Sequence, residues 1–213
     1  MKLYFGIIVV LCLVACQKNS EQANLDYGYY YYPIKSGTSQ VYWVDSISYN
    51  DNTGRVDTFH FQLLQQFDTL ISNNPNTYRI LRFVRPFDSI EWIERESYFV
   101  IQNKENIEMV EDGIHFVKLS FPISNGRKWK GNMFNDLVPE TYEYQSVGVP
   151  FSIGDSTFNQ TATVTFSTQN AIEEIDKTAV YQKDFGLIFS QNTYINTQEN
   201  KKSGFKVSMK IRY

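Results

Sequence analysis

Phe205-Lys206-Val207-Ser208-Met209-Lys210-Ile211-Arg212-Tyr213 decides the fold class. Phe205, Val207, Met209, Ile211 and Tyr213 point one way in an extended chain, and Lys206, Ser208, Lys210 and Arg212 point the other. One dry face and one wet face is the pattern of a strand in an antiparallel sheet. Thr157 to Phe166 repeats it, with Phe158, Ala162, Val164 and Phe166 opposite Asn159, Thr161, Thr163 and Thr165.

Working outward, the same pattern fills the chain. Val41 to Tyr49 alternates, with Val41, Trp43, Ile47 and Tyr49 on one side. Asp51-Asn52-Thr53-Gly54 is a turn, and Val56 to Phe67 alternates again, which predicts a hairpin. Further strands are expected over Tyr78 to Val84, Ile90 to Ile101, Ile107 to Val110, Ile114 to Phe121 and Thr141 to Val149. Ala179 to Phe189 contains Gly186 and reads as two short strands. Asn170 to Lys177, with Glu173, Glu174 and Asp176 near its start, is the best helical stretch. Pro122 to Pro139 reads as a long irregular connection. Aromatic residues make up 16% of the chain, with Phe and Tyr leading, and such rings suit pleated, half-buried surfaces.

The expectation is an all-β protein: a single antiparallel curved sheet closing into a barrel or half-barrel, with a β-sandwich as the alternative and at most one short helix near 170–177. A sheet with so many strands curls or closes, because open edges invite pairing with other chains.

The first residues predict an address. Lys2 supplies a positive start and Leu3 to Leu11 an apolar run too short to span a bilayer. Leu13-Val14-Ala15-Cys16 then resembles the lipobox of bacterial lipoproteins, in which the cysteine thiol receives a diacylglyceryl group and becomes the new N-terminus. The expected organisation is a signal peptide over 1–15, a lipidated polar tether over 16–26 and one all-β domain over 27–213. The expected location is the cell envelope, as an outer-membrane lipoprotein held to the membrane through Cys16. The chain has two cysteines, Cys12 and Cys16. Cys12 would leave with the leader and Cys16 would carry lipid, so no thiol would remain for a disulfide or for catalysis.

Composition narrows the function classes. A formal net charge of −3 argues against nucleic acid, which demands clustered Lys and Arg. His60 and His115 lack a second His or Cys at ligand spacing, so no metal site and no cofactor are expected. Phosphate loops, dinucleotide fingerprints and nucleophile elbows are missing from the sequence. Glu91, Glu94 and Glu96 surround Trp92, and Glu94 and Glu96 would share a strand face. Arg82, Arg85 and Arg95 can pair with them, so solvated ion pairs are the reading. No catalytic residue is assigned and no enzyme is expected.

Candidate binding residues are aromatic. Lys128, Trp129 and Asn132 combine a ring with donors on the long connection, a grouping that suits a small apolar or glycan ligand. Tyr29 and Tyr31 belong to a run of tyrosines ahead of Pro33; they offer either a stacking platform or rings packed on the barrel wall. Asp45-Ser46-Ile47, Asp68-Thr69-Leu70, Asp88-Ser89-Ile90 and Asp155-Ser156-Thr157 share one pattern. It resembles the acceptor motif of the general O-glycosylation system of Bacteroidota, which would make Ser46, Thr69, Ser89 and Ser156 candidate acceptors.

Several segments together resemble a group of uncharacterised Bacteroidota lipoproteins. They are Pro33-Ile34-Lys35-Ser36-Gly37 followed by Trp43, then Lys118-Leu119-Ser120-Phe121-Pro122 leading to Trp129, Gly131 and Asn132, and last Tyr181 with Phe185-Gly186-Leu187-Ile188. The resemblance implies the envelope compartment and a β fold, and carries no catalytic residues. The functional expectation is a non-enzymatic, lipid-anchored binder of a small apolar or glycan ligand. The alternative is a module that docks on an outer-membrane protein complex.

Overall fold

The computed structural model describes residues 26–212 apart from Asn73 and Asp88; the expected signal peptide and lipobox, Cys16 and most of the expected tether lie outside the described residues. The protein is all-β, one antiparallel sheet of twelve strands nearly closed into a barrel. In chain order the strands are β1 (Ser39–Tyr49), β2 (Val56–Leu70), β3 (Thr77–Pro86), β4 (Ile93–Gln102), β5 (Asn106–Glu111), β6 (Ile114–Ser120), β7 (Lys128–Lys130), β8 (Thr141–Ile153), β9 (Ser156–Gln169), β10 (Glu173–Gln182), β11 (Gly186–Gln198) and β12 (Lys201–Ile211).

Their order in the sheet is β6-β5-β4-β3-β2-β1-β12-β11-β10-β9-β8-β7. Each half is therefore a meander, and the pairing of β1 with β12 joins the halves, with Tyr42 opposite Ile211 and Val44 opposite Met209. The two edges of the sheet are β6 and β7, neighbours in sequence. They meet without a full ladder. Val117 N–H donates to Gly131 O at 2.8 Å, the Trp129 indole Nε1 donates to Val117 O at 3.1 Å, and Asn135 Nδ2 donates to His115 O at 2.6 Å.

The alternation of β12 is realised across the sheet. Ile211, Met209 and Val207 face the interior with Tyr42 and Val44 of β1, Leu63 and Phe67 of β2, and Ile80 of β3. In β1 the buried face is thus Tyr42 and Val44 rather than the Val41-Trp43-Ile47 face. The outer face has its own apolar use: Trp43 stacks on Phe87 at 4.7 Å and lies beneath the Arg212 guanidinium.

Three local expectations are revised. Asn170 to Lys177 forms no helix: Asn170 Oδ1 accepts the N–H groups of Ile172 and Glu173, each at 2.8 Å, and this turn launches β10. That use of Asn side chains competes with helix formation. The long connection contains β7, three residues that form the rim of the sheet. The tyrosine run, read as a stacking platform or as rings packed on the barrel wall, is a single 3-10 turn over Tyr29–Tyr31.

That turn lies across one end of the barrel. Ile123 N–H donates to Tyr27 O at 3.0 Å and Asp184 N–H to Tyr30 O at 2.8 Å, so the segment bridges the exit of β6 and the β10–β11 turn. Gly28 sits at φ 77°, and a Cβ there would fall 2.9 Å from Ile123 Cβ, so the turn needs glycine. Tyr31 and Tyr32 are buried, and Tyr32 packs on Phe67 and Tyr181. The larger apolar cluster lies at this end, around Ile80, Val100, Ile107, Leu119, Tyr144 and Ala162.

Candidate functional site

The barrel is not filled. Two hollows open from its interior, a part-enclosed cavity of about 350 Å³ behind the tyrosine turn and a wider, solvent-open one of about 870 Å³ along β1 to β4 and β12; Arg82, Val207 and Met209 border both. The strand pattern explains why they differ. Val44, Phe61, Leu63, Val84 and Ile93 give the larger cavity an apolar wall. Inward positions further round and nearer the tyrosine turn carry Gln40, Gln65, Arg82, Glu111, Lys118, Lys177 and Tyr181 among apolar neighbours, so the smaller cavity has the more polar wall of the two.

The charges in the smaller cavity are partly matched. Arg82 lies opposite Glu96 in the β3–β4 ladder and donates to it at 2.8 Å. Its guanidinium also lies 4.3 Å over the Tyr98 ring, and turning the Gln65 amide brings Oε1 to 3.0 Å from both Nε and Nη2. Burial opposes the charge on Arg82, but Tyr98, Glu96 and Glu111 outweigh it and hold the group firmly protonated. Lys177 Nζ donates to Glu140 Oε1 at 2.5 Å, while Tyr142 donates to Glu140 Oε2 at 2.7 Å.

Lys118 is different. It has no carboxylate oxygen within 4.0 Å among the described residues, and its ammonium lies 4.9 Å from the Phe116 ring centre. Desolvation lowers its pKa, Glu111 counters that, and Lys177 and Arg82 add to it. Tyrosine hydroxyls crowd the same space. Burial raises the pKa of Tyr98 to about 12, and it raises those of Tyr32, Tyr42 and Tyr181 as well. Tyr42 donates within the wall, to Gln40 Oε1 at 2.8 Å and Leu187 O at 3.0 Å.

The residues singled out from the sequence lie apart from these cavities. Trp129 is 8% exposed; its ring stacks on Tyr142 at 5.9 Å and its indole ties β7 to β6. Lys128 is on the surface, 3.2 Å from Glu143. Asn132 is buried, with Nδ2 donating to Val138 O at 2.6 Å and Oδ1 unpaired. Tyr29 stacks on Tyr27 and donates to Lys104 O at 2.9 Å, whereas Tyr31 is enclosed by the core. None of these five lines either cavity.

Of the candidate glycosylation acceptors, Thr69 is exposed beside the β2 bulge, while Ser46, Ser89 and Ser156 are half-buried. Ser46 lies between Phe59 and Val207 in the ladders and shares their inward face, whereas Ser156 opens β9. Of the carboxylates near Trp92, Glu96 faces Arg82 and Glu94 faces Phe83. The register shift between those pairs breaks the shared face expected of Glu94 and Glu96.

Sequence reading passed over Arg82, Lys118 and Lys177 as a group. They come from β3, β6 and β10, and each looks like an ordinary polar residue in an alternating strand. One signal was available: Lys118 and Arg82 stand next to apolar residues on both sides, so neither face of their strands is uniformly polar.

Among the described residues no helix is long and apolar enough to cross a membrane, and no cluster of His, Cys, Asp and Glu could hold a metal ion. Comparison with family models, with curated proteins and with solved structures gives no match for this chain.

Proposed function

We propose that this protein is a non-enzymatic ligand-binding barrel of the bacterial cell envelope, held to the outer membrane by lipid on Cys16, and that its interior receives a small, largely apolar molecule. The observation that carries the reading is the pair of adjoining hollows, about 350 Å³ part-enclosed within the barrel and about 870 Å³ open to solvent beside it, which together leave room for a guest. Ligand sites typically enclose roughly 300–1,000 Å³ with mostly apolar walls and a few placed polar groups. Well-packed interiors leave few voids larger than a water molecule.

Native mass spectrometry of protein purified from its own host tests the binding reading. The expected spectrum contains, besides the lipidated chain, a non-covalent adduct that is lost on denaturation. A spectrum with the same mass before and after denaturation contradicts it. The anchor has its own test. A palmitate analogue should label the wild-type protein and fail to label Cys16→Ala; equal labelling of both removes the anchor from the proposal.

A second reading, a module docking on an outer-membrane protein, has its own support. Phe59, Phe87, Ile90 and Ile93 are exposed beside the larger cavity, with Phe87 at 60% and Ile90 at 89%. Exposed apolar side chains of this kind suit an interaction surface.

A further inference from the structure

The smaller cavity carries more hydrogen-bond donors than the protein satisfies. Lys118 Nζ has no hydrogen-bond acceptor and no carboxylate within 4.0 Å among the described residues, and the hydroxyls of Tyr32 and Tyr181 also lack a protein acceptor. Tyr32 and Tyr181 are buried residues, yet among the described residues the sealed side-chain polar atoms without a partner are Arg85 Nε and Asn132 Oδ1, so these hydroxyls and Lys118 Nζ open onto the cavity. A donor that has no protein partner and faces a part-enclosed cavity is a group that a bound molecule can engage.

The other cations in the cavity are already engaged: Arg82 by Glu96 and Gln65, Lys177 by Glu140. Among the described residues that line the cavity, Lys118 is the cation left to an incoming group. Glu111 lines the same cavity and has no basic nitrogen within 4.0 Å; its field helps keep Lys118 charged against desolvation. The unmet donors are one ammonium and two neutral hydroxyls against one carboxylate, so the cavity favours a guest that brings acceptor oxygens, with any negative charge set against Lys118 and away from Glu111. Beyond Arg82, Val207 and Met209 the interior continues into the apolar wall of Val44, Leu63 and Val84.

We propose that the ligand is an amphipathic carboxylate: its acid group sits against Lys118 and the Tyr32 and Tyr181 hydroxyls, and its apolar body extends past Arg82 into the larger cavity. This rests on the reading of the barrel interior as a binding site. The ligand therefore has a polarity and a direction, acid end toward the tyrosine turn and apolar end toward the β1–β4 mouth.

Isothermal titration calorimetry with three probes of one chain length separates this assignment from the reading beneath it. The probes are decanoate, decanol and decylammonium, each below its micelle concentration, and the protein is the delipidated full-length barrel. Wild type should bind decanoate about tenfold or more tighter than decanol, as a charge-assisted contact in a dry site implies. Decylammonium should bind weakest. Lys118→Met should remove the preference for decanoate over decanol, and Lys118→Arg should keep it. Decanol equal to decanoate in wild type, decylammonium binding tightest, or a preference that survives Lys118→Met overturns the carboxylate assignment while leaving the barrel a binder. Failure of all three probes to bind wild type overturns the binding reading itself. Circular dichroism of each variant confirms that the barrel is intact before affinities are compared.

Discussion

At the scale of single residues, two glycines show how much the sheet depends on close approach. Gly204 sits within β12 at φ 122°, and a Cβ there would lie 2.0 Å from the backbone oxygen of Tyr194 on β11. Backbone cannot step aside as a side-chain tip can. Gly204→Ala should destabilise the barrel by more than about 3 kcal/mol, combining a disallowed φ with a steric clash. Gly113, in the β5–β6 turn at φ 77°, has open space around it. Gly113→Ala should cost only the left-handed conformation, about 1–2 kcal/mol. Urea denaturation of both variants measures the contrast; equal midpoints would mean that the β11–β12 approach relaxes freely. The same scale shows where sequence reading stops. Gly204 lies between Ser203 and Phe205 with nothing in the string to mark a crowded backbone, because the crowding comes from a strand ten residues away.

At the scale of elements, the seam between β6 and β7 matters most. A sheet edge offers unpaired N–H and C=O groups to other chains, and here the two edges cover each other. The cover hangs on few bonds, chief among them the Trp129 indole to Val117 O and Val117 N–H to Gly131 O. Trp129→Phe keeps a ring in place but leaves the Val117 carbonyl unmatched, at a cost of about 1–3 kcal/mol. The Val117 amide should then exchange with solvent markedly faster, while amides at the β1–β12 junction keep their protection. Unchanged exchange at Val117 would show that the indole bond does not hold the seam.

Elements also differed in how visible they were. The strict alternation of β9 and β12 is a direct record of one buried face. β11 is rich in Ser, Asn, Thr and Gln and reads as a strand only because β10 and β12 flank it and satisfy its backbone on both sides. The acidic stretch at Glu173, Glu174 and Asp176 imitates a helix start, but the Asn170 turn and the free backbone of β9 and β11 claim it first. The interior cluster was invisible for a related reason: Arg82, Lys118 and Lys177 come together only through the curvature of a sheet whose closure no local pattern encodes.

At the scale of the molecule, buried tyrosine hydroxyls tie stability to pH. Hydrogen bonding to Asp26, with burial adding to it, raises Tyr30 to about 12, and burial raises Tyr98 to about 12; Tyr42, Tyr142, Tyr144 and Tyr181 are also raised. In each case the folded protein keeps the neutral hydroxyl that the unfolded chain would ionise near its ordinary value of 10.0. Their contribution to stability is therefore fully present below pH 10 and is lost as pH climbs from there through 12 and beyond. The expected result is a cooperative alkaline unfolding in which tyrosinate absorbance and circular dichroism change together. Gradual ionisation of all the tyrosines around their ordinary value, with the circular dichroism signal intact, would show that the interior is wet. Asp26 gives the opposite sign at the acid end: its hydrogen bonds to Tyr30 and Gly28 lower its pKa, so what it adds to the tyrosine turn is present above 3.8 and fades as pH falls below it.

The order of strands has a kinetic consequence. Within each meander, every pairing is between sequence neighbours, so six consecutive strands on either side of the β6–β7 connection can zip up by short loop closures. The junction of β1 with β12 is the exception, since it joins the two ends of the described chain and cannot form until both meanders exist. The barrel therefore concentrates its long-range search into one docking event between two nearly autonomous halves, and the interior space comes into being only at that last step.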